Sequence, residues 1–440
     1  MRTAVRTAVR TAVRVAVPAG VLVGAIFMGW LRPQAVIAHA QVTTTVQFDR
    51  EIVHVLDNHC VMCHVEKGLA FPLVTYEQTY AARWKIRQDA LDRHMAPWAA
   101  VAGYGDFANG NGLTQREIDF LVSWAESFGP RNNGEVYSGV AAQPTAAKAV
   151  QARSDVGGWV LGKPDVVLAV GPKTVGAREG EEIERIVVDP KLATDRWLRG
   201  LEYKPGDRRV VRAVSFAIQE TGQWIGSWTP WYGFVSLPAG LAYRLPAGSH
   251  VVAEIHYNGS REKALDQGAL GLYFAEQPSA RVVTSLVLNA TAAAPTGAAQ
   301  SAGVSRKLEA ATRLEEDLNI LALLPEIRAG VRSIEVAAKA PGGGKQVLLF
   351  AKDIPLEWPT PYVFRKPVSL VKGTELSVIE HYAGDAAHAG DAGPAGGIPV
   401  TFSAYRGAAL AAGAVPVTVS AYQGAALAAG GSSAALAGGR

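Results

Sequence analysis

VVRAVSFAI at residues 210–218 and SHVVAEIHY at residues 249–257 are short runs of β-forming side chains, the second preceded by the turn sequence Leu245-Pro246-Ala247-Gly248. Comparable runs recur at 166–170, 184–188, 270–274, 282–288, 320–324, 331–337, 346–350 and 375–382. Many short strands with Pro and Gly punctuation predict β-sandwiches. We assign one to residues 158–280 and a second to 281–407, with the low-complexity stretch 290–304 as an exposed loop.

Working outward, residues 131–157 are rich in Asn, Gly, Ala, Pro and Ser and read as a linker. Residues 44–130 have helical character. Thr114 and Glu117 form a capping box that opens a helix through Ile118, Leu121, Val122 and Trp124, and Gly129-Pro130 ends it. The chain is therefore expected to be multidomain, an α-helical domain followed by two all-β sandwiches. At the far end PVTFSAYRGAALAAG (399–413) recurs as PVTVSAYQGAALAAG (416–430), so residues 408–440 read as a duplicated Ala/Gly-rich tail.

The N-terminal residues 1–40 read as an export signal. Arg2, Arg6, Arg10 and Arg14 form a basic region, an apolar run covers 15–31, and Ala38-His39-Ala40 gives a small-x-small cleavage site. The competing reading is an uncleaved membrane anchor. Either way the remaining chain is expected in the periplasm. With 49% hydrophobic and 19% charged residues the chain is globular in composition. A net charge of +4, with many arginines near the N-terminus, gives no reason to expect nucleic acid as a partner.

The chain has two cysteines, in the run Cys60-Val61-Met62-Cys63-His64. Cys-x-x-Cys-His sets two thiols one helical turn apart, where both can form thioethers with the vinyl groups of a haem, and projects the adjacent imidazole onto the iron. A thioredoxin-type dithiol expects an α/β context, and a zinc half-site needs further Cys or His ligands; neither is evident. One covalent haem c on Cys60 and Cys63, with His64 as axial ligand, is the expected cofactor. The second axial ligand follows by elimination. Besides Met1, Met28 lies in the signal and Met62 inside the motif, which leaves Met95. His94 beside it is the alternative, and an open or other position also stays in play. Phe71, Tyr76, Trp84, Trp98 and Tyr104 are expected to pack around the haem.

Several stretches resemble a bacterial family in which a mono-haem cytochrome c domain precedes a copper type II, ascorbate-dependent (peptidylglycine hydroxylating) monooxygenase-like module. In the first part these are Phe48-Asp49-Arg50-Glu51-Ile52, the Cys-x-x-Cys-His motif, 71–77, Met95-Ala96-Pro97-Trp98 and Gly103-Tyr104-Gly105. Downstream they are 195–202, 204–206, 209–211, 245–248, 254–257, 271–274 and 323–330. The resemblance spans about residues 46–405 and implies two jelly-roll-like sandwiches, each with a copper site, and Met95 as the iron ligand. It also exposes a departure. Where the family places a His-His pair this chain has Arg212 and Ala213, and where it has Pro-His-x-His this chain reads Pro325-Glu326-Ile327-Arg328. The family's methionine ligand has no counterpart. Of the six copper ligands only His256 is kept, and an arginine cannot ligate a metal, so copper is not expected. His256 alone reads as a satisfied core or surface histidine, and a new metal site from His381, Asp385 and His388 is a remote alternative.

The expected function is a periplasmic single-electron carrier whose β modules serve docking or scaffolding, with redox donor and acceptor proteins as partners. Membership of a membrane-associated redox complex is a further expectation; Trp224, Trp228, Trp231 and Tyr232 could serve it as exposed contacts, but sandwich core or loop packing is the favoured reading for them. An active copper monooxygenase fed by its own haem is the alternative.

Overall fold

The run 210–218 becomes the inner strand β4 (Val211–Ile218), paired on one side with β8 (Val251–Asn258) and on the other with β5 (Trp224–Trp228). The computed structural model describes residues 44–132, 158–177, 180–260, 262–292, 306–326, 330–382 and 396–407. With β2 (Glu181–Val188) these strands form a four-stranded antiparallel sheet, β2-β8-β4-β5. Facing it is a six-stranded sheet ordered β1-β9-β3-β7-β10, with β6 also paired to β3. Its strands are β1 (Val166–Val175), β3 (Arg196–Lys204), β6 (Phe234–Ser236), β7 (Leu241–Leu245), β9 (Ala264–Phe274) and β10 (Arg281–Val282). Val214, Phe216, Ile255 and Tyr257 from the smaller sheet and Leu198, Leu201, Leu270 and Leu272 from the larger share one core. Trp224, Trp228, Trp231 and Tyr232 are buried in that core, as the packing reading expected, and do not form an exposed contact surface.

The second half is one continuous eight-stranded sheet, ordered β15-β14-β17-β12-β11-β18-β13-β16. It comprises β11 (Thr284–Ala292), β12 (Arg306–Arg313), β13 (Leu318–Pro325), β14 (Val331–Lys339), β15 (Lys345–Lys352), β16 (Tyr362–Leu370), β17 (Glu375–Tyr382) and β18 (Gly396–Arg406). Strand β18 pairs with both β11 and β13 and so joins the early and late strands into one ladder.

Helix is confined to a π-turn (Phe48–Ile52) and the short helices α1 (Val53–His59), α2 (Tyr76–Leu91) and α3 (Gln115–Glu126). The capping box of Thr114 and Glu117 is present, and Thr75 with Gln78 forms a second at the start of α2. Between α2 and α3 the chain is not helical. Residues 96–112 join the second sheet: the Val101 amide donates to the Phe350 carbonyl at 2.8 Å, and Ala100 and Phe107 bridge to Ala351 and Phe364. Buried Asn109 clamps the same edge, its Nδ2 donating to the Pro361 carbonyl at 2.6 Å and its Oδ1 accepting from the Val363 amide at 3.0 Å.

These features correct the expected architecture. The fold is mostly β, with three short α-helices among the described residues and no large α-helical cytochrome domain. The two jelly-roll-like sandwiches are replaced by a four- and six-stranded pair and a single eight-stranded sheet. The helical segment was overread because the Pro- and Gly-containing chain after Met95 is satisfied by sheet edges far away in sequence, which no local pattern announces. Among the described residues no helix is long and apolar enough to cross a membrane. The expected signal (1–40), linker (131–157, bar its first two residues) and tail (408–440) lie outside the described residues.

Candidate functional site

The chain turns sharply after α1. The Cys60 amide donates to the Leu56 carbonyl at 2.8 Å, and the Cys60 carbonyl accepts from both the Cys63 and His64 amides, at 3.1 and 3.0 Å. This one turn brings both sulfurs and the imidazole to one side. The segment that follows folds back over it. The Leu73 amide donates to the His64 carbonyl at 2.9 Å, and a Cβ on Gly68 would sit 2.4 Å from the Cys63 carbonyl oxygen, so only glycine permits that approach. His64 Nδ1–H donates to the Phe71 carbonyl at 2.8 Å while the Phe71 ring packs edge-on against the imidazole, with centroids 4.8 Å apart. A carbonyl can only accept, so the tautomer is set and the Nε2 lone pair is free. Burial holds His64 below the ordinary imidazole range, against the pull of Phe71 and Asp89, keeping it in the neutral, ligating form.

Met95 follows the end of α2. Helix α2 ends at Leu91, Arg93 adopts a left-handed φ of 53°, and the His94 and Met95 amides both return to the Asp89 carbonyl, at 2.9 and 3.3 Å. Cys60, Cys63, His64 and Met95 thereby line one cavity of about 770 Å³, counting its open mouth. His94 also reaches it but is exposed, whereas Met95 is half-buried. Burial pushes both thiols up to about 12, with a contribution from the Glu117 charge at Cys60 and from Cys60 at Cys63, so they are protonated at neutral pH. Low-pKa thiolate chemistry of the thioredoxin kind does not suit them.

Two features of the cavity escaped sequence reading. His59 at its rim donates through Nδ1 to the Asn111 carbonyl and pairs through Nε2 with Glu117, each at 3.1 Å; burial lowers its pKa, but these contacts outweigh it and the net shift is upward. The far wall comes from the β region, as Arg212, Asn258, Glu357 and Trp358. Of the aromatic residues expected around a haem, only Phe71 stands beside the motif. Tyr76 packs on Phe48, Trp98 joins Phe107 and Tyr362, Tyr104 lies on Phe350, and Trp84 is exposed.

His256 is apart from this cavity's lining. It is buried at 8% exposure, with Nδ1 2.8 Å from Glu181 Oε1 and Nε2 3.8 Å from Glu254 Oε1. Burial opposes its charge, but the two carboxylates prevail and raise its pKa. It is an ion-paired histidine. Ala213 is its cross-strand partner on β4. Among the described residues no group of three or more His, Cys, Asp or Glu is arranged to hold a metal ion, which corrects the expectation of metal binding through such a set. His381 is exposed on β17, while Arg328, Asp385 and His388 lie outside the described residues.

No family model and no curated protein matches the chain. Among solved structures it is similar, at 11% identity and a TM-score of 0.23, to PNGF-II in a C2 space group, over 56% of this chain and 65% of that one. It is likewise similar to the major capsid protein P2 of bacteriophage PM2, at 11% identity and a TM-score of 0.24, over 55% of this chain and 97% of that one. Likenesses this distant carry no argument about this chain.

Proposed function

We propose that the cavity holds one covalently attached haem c and that the protein carries single electrons, in the periplasm, between redox partner proteins. The observation that supports this most is the convergence of Cys60, Cys63, His64 and Met95 on one cavity. Cys60 and Cys63 supply the two sulfurs for thioether bonds, and the turn through the Cys60 carbonyl fixes their spacing. His64, held through Nδ1 by the Phe71 carbonyl, would have Nε2 free for the iron. Met95 would supply a thioether ligand, the softer partner that raises a reduction potential relative to a second imidazole. Bound there, the haem supplies reversible one-electron chemistry.

The test is optical. Protein matured with haem is expected to show the methionine-to-iron charge-transfer band when oxidised. Met95→Leu should abolish the band and lower the reduction potential while leaving the haem attached, and His94→Gln should change neither. Loss of the band in His94→Gln with Met95→Leu unaffected would contradict the assignment.

A further inference from the structure

Arg212 occupies a position that the haem reading leaves unexplained. Strand β4 slips register against β8 between Val211 and Ala213, so Arg212 sits on a bulge, a local device that re-aims a side chain. Arg212 lines the same cavity as Cys60, Cys63, His64 and Met95. It is half-buried and stands over the Trp358 ring, 5.3 Å from its centroid, while Nη2 donates to Asn258 Oδ1 at 2.7 Å. That is its one hydrogen bond among the described residues, and no carboxylate there lies within ion-pair distance, although Glu357 lines the same cavity. A guanidinium offers five N–H donors in a planar fork that matches a carboxylate. A stacked, half-buried, positioned arginine with most of its donors unspent is an anion site awaiting an anion.

We infer that Arg212, braced by Asn258 and Trp358, is a carboxylate-binding residue of the cavity, and that its ligand is a propionate of the haem. This rests on the haem reading above. Arg212 would then secure the haem from the β side, joining the helical segment and β4 through one group. A cation lining the haem cavity favours the reduced, more negative form of the site, so it would also shift the potential upward.

The experiment uses the full haem-loaded protein and measures the reduction potential of wild type, Arg212→Gln, Arg212→Met and Arg212→Lys. The inference predicts a lower potential and easier haem displacement from the cavity face in Arg212→Gln and Arg212→Met, with partial recovery in Arg212→Lys. Equal potentials in all four proteins, with covalent haem present in each, would overturn it. Titration with acetate covers a carboxylate from solution. A saturable spectral shift in wild type that Arg212→Gln abolishes would show the site open to external carboxylate and overturn the propionate assignment; no shift supports it. If wild type carries no haem, the underlying reading fails, an outcome distinct from these.

Discussion

Held between Glu181 and Glu254, His256 binds its proton more tightly than a free imidazole, whose ordinary value is 6.5. A raised folded-state pKa means the ion pairs contribute fully below the unfolded value and are lost as pH rises through the folded one. His256→Gln should therefore cost about 1 kcal/mol at pH 5.5, given that both carboxylates are partly exposed, and less at pH 9. Denaturant melts at the two pH values check this. An equal cost at both would show that the charge is not what holds the residue. The sequence already suggested a satisfied histidine here, because one retained ligand among lost ones has nothing to coordinate with. Arg212 was the opposite case. Its identity was plain, but its role depends on a bulge and on Trp358, neither of which the local sequence displays.

At the level of elements, α3 is anchored by Glu117, whose carboxylate accepts from the Thr114 amide and hydroxyl, both at 2.8 Å, and pairs with His59. Burial alone would raise its pKa, but His59 and Thr114 overcome this and bring it from 4.5 to about 2. A depressed carboxylate stabilises above its unfolded value and loses that contribution as pH falls through the folded one. Acidification from pH 4.5 to 2 should thus remove roughly 2 kcal/mol through this group, and Glu117→Gln should flatten the stability profile in that window. An unchanged acid profile in the variant would exclude the linkage. The cap itself was legible, since Thr-x-x-Glu before an apolar run carries its own mechanism. So were ten strand segments, each rich in β-forming residues between turns. Strand β16 was not, because Pro367 interrupts its run; the structure tolerates it because β16 is the last strand of its sheet. Strand β5, WIGSW, escaped because Gly226 and Ser227 dilute a five-residue pattern.

Across the whole molecule, the helical segment is stitched into the second sheet by residues 96–112, and the cavity draws its walls from both the helical segment and the β region. Asn109 bears much of this junction. Asn109→Ala would leave the Pro361 carbonyl and Val363 amide without partners in a buried setting, at a cost of about 2–4 kcal/mol. Unfolding followed by helix signal and by near-ultraviolet signal should coincide in wild type, and two separate transitions would contradict the stitched arrangement. The motif's chemistry was legible from five residues, while the way the segment is housed depends on contacts more than 200 residues apart, such as Asn109 with Pro361. The account stands most directly on attachment at Cys60 and Cys63. Intact-mass measurement of protein exported from cells able to attach haem c should give the chain plus one haem, with neither thiol open to alkylation, and Cys60→Ala/Cys63→Ala should give the bare chain. A wild-type mass equal to the bare chain, with two alkylatable thiols, would contradict it.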